Sequence, residues 1–522
     1  MSATDSTTGK IHLWLHSFET ATSTIVPDSE RALAAFWSPD SRALGFFDPG
    51  GVIKRVTTDG VPLGTITTGQ EPRGAAWGDG TLLYTKGSRS GLYTRSLLDA
   101  GEGSGESLLM TPDSSRRELA FMWPQFLPDG NRFIYFVLSN DADVRGLYLS
   151  SLDRRTPTLL ANTDASGIVA GKWLWYVKSD VLVRQKLTTG SYRVEGGPEP
   201  VVEGVAVNFD WRSAISAADD GTLSYVPAQY DTEMVWFDRS GKEGEKLALP
   251  RARYRSPALS VDGRLLAVQR YRDGLCEIQV FDMDTLQVRP SIAQSADVQF
   301  AVWGPGHRLA YASSDRGHLD IYVRDFERDD GPELLFAGRP EAPDADMMPT
   351  DWSRDGEYLT FVEYSRDQPY NLWALRVSEP GKAFVVRPGE GSQIGGHVSP
   401  SGREIVYLRR PPLRPGQLPE RELWASDFPS GASPRRLATG VNDPAWPVED
   451  VLSYMDAKGV MTLLRRTSGG SVVSVAAFPT GVITPESSRN NYVWTSDGSR
   501  VLVNRPITDP AKVRVMLLES SN

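Results

Sequence analysis

The chain has 522 residues, 40% apolar and 23% charged, with 56 Lys plus Arg against 66 Asp plus Glu and a formal charge of −10. That suits about two to four globular domains or one repeat array, and without a basic surplus or stripe it does not read as a nucleic-acid binder. No apolar run approaches the ~20 residues of a bilayer span, "MSATDSTTGKIHLW" lacks the charged and apolar regions of a secretory leader, and the lone cysteine excludes an intrachain disulfide or a Cys-based metal site.

Residues 1–10 read as a disordered tail. The next segment, "KIHLWLHSFETATSTIV", matches only the outer two strands of a unit that recurs in full further on. "FWSPDSRALGFF" (Phe36–Phe47) opens the first inner half. Two aromatics end a strand, Pro39 presets φ for a tight turn, Asp40 can accept from the backbone just beyond, and an alternating strand follows. The motif returns as "AWGDG" at Ala76, "QFLPDG" at Gln125, "ALSVDG" at Ala258, "VWGPG" at Val302, "DWSRDG" at Asp351, "HVSPSG" at His397 and "VWTSDG" at Val493. Weaker copies stand at Val169, Ser216 and Ala445, and the period is about 46 residues.

Each copy continues alike: a strand such as "RFIYFVL" or "YLTFVEY", a polar loop, a second strand such as "LDIYVRD" or "NLWALRV", then a short strand such as "PELLFA". Four antiparallel strands in tandem units of this length are the signature of a β-propeller. A lone four-stranded sheet buries too little, whereas radial stacking covers both faces of each blade. That explains strands apolar on both sides, and it assigns the aromatic before each turn to the gap between neighbouring blades. Eleven inner and twelve outer halves exceed a usual single ring. The expectation is an all-β chain of tandem β-propellers, about eleven to twelve blade units in two rings of about six. The first ring spans 11–250 with an incomplete opening blade and the second spans 251–522, with the junction near "LALPRARYRSPAL". The absent opening strands suggest a native polypeptide that begins further upstream.

"FWSPDSRALGFF", "MVWFDRSGKEGEKL", "PALSVDGRLLAV", "SSDRGHLDIYVRD" and "PTDWSRDGEYLTFV" resemble the TolB-type propeller repeats of bacteria. Their order, and the ending "NYVWTSDGSRVLVNRPITDPAKVRVMLLES", are similar to the C-terminal propeller region of bacterial multidomain serine/threonine protein kinases, over residues 11–520. The resemblance implies a sensing or scaffolding role attached to a signalling domain, often beyond a membrane span. Other relatives carry the repeats behind a DNA-binding winged helix. The chain has no Gly-rich kinase loop, His-Arg-Asp loop or Asp-Phe-Gly, so no phosphotransfer is carried over. As written it is cytoplasmic; a removed upstream anchor would make it extracytoplasmic.

Repeat motifs specify fold and leave function to particular sites. No Gly-x-Ser-x-Gly elbow is present; "GSRSG" puts Arg89 at the nucleophile position. Propeller lyases and glycosidases need His, Tyr, Arg or paired carboxylates converging on the axis. Of the histidines, His12 and His16 lie in a strand, His307 and His318 read as surface or packing residues, and His397, just before a turn near the axis, is the one to watch. The acidic runs "NDADVRG" and "EAPDADMMPTD" lack calcium-loop spacing and read as solvated loops. "GEGSGES" reads as a hairpin tip, and Cys276 in "LCEIQVF" as a buried thiol. The recurrent Asp40, Asp79, Asp129, Asp262, Asp355 and Asp497 read as turn caps rather than a ring of ligands. No catalytic, cofactor-binding or metal residue is assigned, and no cofactor. The function expected is a non-catalytic interaction or sensor module for a protein, peptide or small ligand, with a carbohydrate-active propeller enzyme as the alternative.

Overall fold

The computed structural model describes all residues except 1, 5–10, 18, 33, 49, 68–71, 88, 98–104, 140, 179–180, 209, 228–230, 273–274, 293–296, 329–330, 343–344, 366–369, 388–390, 412–419, 468–470, 483–489, 508–515 and 519–522. Among these the repeat is realised as twelve antiparallel sheets, ten of four strands and two of three. The chain divides into two compact units, Met1–Ala228 with a C-terminal segment, and Gln229–Pro412 with Glu420–Val513. No helix among the described residues is long and apolar enough to cross a membrane.

In the first unit, sheet 1 holds Ser2–Thr4, Ile11–Ser17 and Thr22–Ile25. Sheet 2 starts at Ala35–Trp37, sheet 3 at Ala75–Trp77, sheet 4 at Ala120–Phe126 and sheet 5 at Ile168–Ala170. In these four the innermost strand comes first and three more follow outward in chain order. Sheet 6 joins Ile215–Ala217 and Leu223–Tyr225 to the distant strand Met516–Leu518. Apolar clusters fill the space between successive sheets from 1 to 6, as where Leu13 and Val26 meet Leu44, Phe46 and Val56.

The second unit opens with sheet 7, in the order Glu243–Lys246, Thr232–Asp238, Arg500–Pro506, Tyr492–Trp494. Its outer pair comes from the start of the unit and its inner pair from the end. Sheets 8 to 12 begin at Tyr254–Leu259, Val298–Trp303, Asp346–Trp352, Ser392–Val398 and Val441–Val448. Clusters lie between every successive pair, and one places Val451 and Met455 of sheet 12 against Val235 and Val503 of sheet 7. The ring is therefore closed, and the joint is a mixed sheet rather than a loop.

Three details differ from the sequence reading. Ser2–Thr4, assigned to a disordered tail, pair with Ile11–Leu13. Thr232–Asp238 and Glu243–Lys246, read as the end of the first ring, pair instead with the strand at Arg500–Pro506. Hydrogen bonding between segments hundreds of residues apart leaves no local mark in a sequence. Trp37 does not fill a gap between blades; it is half exposed.

The turns behave as their residues require. Asp40 accepts from Ser38 Oγ (2.6 Å) and Arg42 N (3.1 Å), and Asp262, Asp355 and Asp497 repeat the arrangement. The turn serine then accepts from the N–H of Ala43, Leu265 or Tyr358, starting the next strand. These carboxylates cap their own turns, as Asx turns predict, and Asp262 also meets His307 of the next sheet. "GEGSGES" lies largely outside the described residues.

Candidate functional site

The innermost strands of a propeller border its axis. In sheets 8 to 12 each innermost strand carries a β-bulge, at Arg255/Ala258, Gln299/Val302, Pro349/Asp351, Ile394/His397 and Asn442/Ala445. Ser256, Phe300, Gly395 and Asp443 inside these bulges have φ between 45° and 62°. Bulges re-aim side chains and are frequent next to functional sites. The first paired residue after each bulge forms one layer: Ala258, Val302, Asp351, His397 and Ala445. Three are apolar and small; the adjacent pair Asp351 and His397 is titratable.

Asp351 Oδ2 accepts from Val398 N at 2.7 Å, so sheet 10 is tied to sheet 11 directly beside His397. Thr360, opposite Asp351, shares its hydroxyl with the carbonyls of Asp351 and Gly396 (both 3.3 Å). Burial pushes the Asp351 carboxyl up to about 7, against two backbone N–H groups and Arg354, which lower it. Burial alone brings the His397 imidazole down to about 4. Both side chains are nevertheless only part-buried by surface. At neutral pH His397 is therefore an uncharged imidazole, and the Asp351 carboxyl keeps its proton to higher pH than an exposed one.

Asp443, in the next bulge, is fully enclosed. Its Oδ2 accepts from Asn491 N (2.6 Å) and Asn491 Nδ2 (2.9 Å), while Tyr492 Oη donates to Asp443 O (2.6 Å). Burial raises it to about 7 as well, and its bonds serve the seam between sheets 12 and 7. Arg354 in the turn of sheet 10 donates to Pro447 O of sheet 12 and to Ser496 O of sheet 7 (3.1 Å). Sheets 12 and 7 are not neighbours of sheet 10, so Arg354 reaches them across the turn end of the axis.

The axis of the first unit is built differently. Trp123, at φ 51° within the bulge of sheet 4, donates its backbone N–H to Arg73 O (2.7 Å) and Nε1–H to Asp210 O (2.9 Å). Arg212 lies 5.2 Å from the indole centroid. Gly74 packs so closely that a Cβ there would stand 2.8 Å from Trp123 Cα. Those partners precede sheets 3 and 6, so Trp123 ties three sheets of that unit together. Asp210 is pushed up by burial and held back by Arg73 and Arg212.

The other singled-out residues have structural work. His307 bridges Asp262 (2.9 Å) and Glu327 (3.0 Å) between neighbouring sheets. His318, read as a surface or packing residue, stands 3.0 Å from the fully buried Asp320. His16 meets Ser23 Oγ at 2.9 Å; His12 lies on the same strand, opposite Ala3. Cys276 is buried, and its N–H donates to Asp297 Oδ1 (2.7 Å). The run "EAPDADMMPTD", read as a solvated loop, instead supplies two inter-sheet ties, Asp346 to Leu319 N (3.0 Å) and Asp351 to Val398 N; residues 343–344 lie outside the described ones. Asp141 of "NDADVRG" accepts from Arg117 Nη1 at 3.0 Å. A separate groove of about 680 Å³ opens between sheets 9 and 10, where Arg339 stacks on Trp373 at 4.2 Å and forks onto Glu363 (both bonds 2.8 Å).

Asp351 was legible in principle. Other copies place Phe36, Ala76, Val302 or Val493 before the turn aromatic, and "DWSRDG" places a carboxylate there. Trp123 and Asp443 carried no such signal, because their left-handed bulges are a tertiary outcome.

No family model matches the chain, and no curated protein matches it. Among solved structures it is similar to a TolB protein from Agrobacterium tumefaciens, at 18% identity and TM-score 0.41, over 53% of this chain and 99% of that one. It is similar to TolB from Acinetobacter baumannii at 16% identity and TM-score 0.32, over 60% and 78%. The tricorn protease matches 98% of this chain and 56% of its own, at 13% identity and TM-score 0.36.

Proposed function

We propose that the chain is a non-catalytic interaction or sensor module that holds a protein, peptide or small ligand at the axis of its second unit, as the C-terminal part of a signalling protein. The observation that supports this reading is the pair Asp351 and His397, side by side on adjacent innermost strands and only part-buried. Apolar neighbours in the same layer and two placed polar groups are the usual make-up of a ligand site. A carboxylate beside a neutral imidazole selects a ligand that donates hydrogen bonds, such as the free amino terminus of a peptide. Titration calorimetry with short peptides bearing free amino termini at pH 8 tests it. Binding to the native chain that is lost in Asp351→Asn supports the reading, and equal binding by both overturns it.

The alternative, a carbohydrate-active propeller enzyme, draws on the same pair, since a carboxyl at about 7 is poised for proton transfer. Turnover of a polysaccharide abolished by His397→Ala would establish the enzyme and defeat the first reading.

A further inference from the structure

An arginine stacked on a tryptophan recurs in both units, and a carboxylate often holds its charge. Arg339 on Trp373 is held by Glu363, Arg184 on Trp173 by Glu199, and Arg466 on Trp446 by Glu404. Arg55 of sheet 2, whose guanidinium lies 5.4 Å from the Trp77 ring centroid, has no such carboxylate among the described residues. Its Nη2 donates to Leu63 O at 3.0 Å, and its Nε is buried without a hydrogen-bond partner.

A second cation converges on it. Arg55 shares a strand face with Ile53, and Ile53 packs with Leu82 and Tyr84 of sheet 3, so Arg55 points into the gap between sheets 2 and 3. Its cross-strand neighbours are Gly45 and Gly64, which set no side chain beside it. From the opposite wall, Arg95 shares a face with Tyr93 of the same cluster and stands in one row with Leu82 and Trp77. Arg95 is part-buried and makes no hydrogen bond or ion pair among the described residues. Glu106, opposite Arg95, is already engaged: Tyr84 Oη donates to one oxygen and Lys86 Nζ to the other. Burial, and then the charge of Arg95, hold the Arg55 guanidinium below its usual range. A groove of about 370 Å³ shares Leu63 and Trp77 with this gap, and its carboxylates, Asp40 and Asp79, stand in the turns.

We propose that Arg55 and Arg95 form an oxyanion site in the gap between sheets 2 and 3, taking a ligand through its carboxylate or phosphate group. Two cations held near each other without a counter-charge repel, and an anion between them removes that repulsion. The stack on Trp77 fixes the plane of Arg55, and its Nη1 has no partner among the described residues. A guanidinium held in one plane matches the paired oxygens of a carboxylate or a phosphate. The site lies in the first unit and is independent of the Asp351–His397 reading.

Calorimetric titration of the full chain with inorganic phosphate in one arm and succinate in the other, at constant chloride and pH 7.5, tests the site. Saturable binding of at least one anion is expected, and the arm that binds more tightly tells a phosphate ligand from a carboxylate one. Arg95→Gln should weaken that binding about tenfold or more, the effect of losing charge-assisted hydrogen bonds. Because Arg95 has no hydrogen bond to lose, this variant should keep its thermal midpoint. Arg55→Lys, which keeps the charge without the fork, should also bind more weakly than the native chain. Arg328→Gln, on the surface of the second unit, should bind like the native chain. The proposal fails if neither anion binds saturably, if Arg95→Gln binds as the native chain does, or if Arg328→Gln loses as much.

Discussion

Sheets 1 and 7 contain the same outer pair of strands, and they differ in what lies inside it. In sheet 7 the hairpin Tyr492–Pro506 supplies the inner pair, and Val493 there packs with Leu259, which ends the innermost strand of sheet 8. In sheet 1, among the described residues, Ser2–Thr4 alone lies inside the outer pair, and the equivalent residue of sheet 2, Trp37, is half exposed. The outer strands thus bury the middle of the neighbouring sheet, while the inner hairpin buries its axial end. Cover in a propeller is local, one strand pair for one band of core, which is how stability in a repeat array is distributed.

The widest test of this contrast is a pair of tryptophan truncations. Trp352→Ala should lower stability by about 3–5 kcal/mol and Trp37→Ala by under about 1 kcal/mol, since only the first opens a cavity; urea denaturation of both variants decides, and similar losses would break the comparison. Next, Leu502→Ala in the inner hairpin of sheet 7 should cost about 2–5 kcal/mol, and Leu13→Ala in sheet 1 should fall at the low end of that range. A reversed order would show that the outer strands carry more of the ring than their burial implies.

Acidity sharpens the picture of the second unit's axis. Asp351 and Asp443 are raised from 3.8 to about 7, so the folded chain holds protons that the unfolded chain has released within that window. Their contribution to stability is greatest below it and falls as pH climbs through it. His397, lowered from 6.5 to about 4, acts in the opposite sense, because the unfolded chain takes up a proton first as pH falls. Asp351→Asn combined with Asp443→Asn should therefore gain stability relative to the native chain between pH 4 and 7, at most about 1.4 kcal/mol per pH unit for each carboxyl. Chemical denaturation at pH 5 and pH 8 measures it, and a constant difference would mean that neither carboxyl titrates there. The smallest effect is expected at a turn. Asp262→Ala loses the bonds to Ser260, Arg264 and His307 and should cost about 1 kcal/mol, read as a modest drop in thermal midpoint.

The repeated Ser-x-Asp turns told the same story in both readings, because an Asx turn is made within a few residues. His397 was singled out in the sequence for its place before a turn, and it lies at the bulge of the innermost strand of sheet 11. Asp351 stood out from the other copies of the motif, yet it sits at the end of an acidic run that reads as solvated loop. Its role came from the N–H of Val398, on a different strand of a different sheet.

What the amino-acid order determined by itself is the unit: alternating strands, tight turns and an aromatic at each strand end, all set by contacts between near neighbours in the chain. Tertiary structure alone decided which outer pair joins which inner pair, that Met516–Leu518 returns to sheet 6, that Trp123 bonds to the segments before sheets 3 and 6, and that Asp351 is tied to Val398 beside His397. The physical reason is that every repeat offers nearly the same strand edges and faces. Local propensity is then satisfied by many pairings, and only the long-range hydrogen bonds and burial between sheets select one.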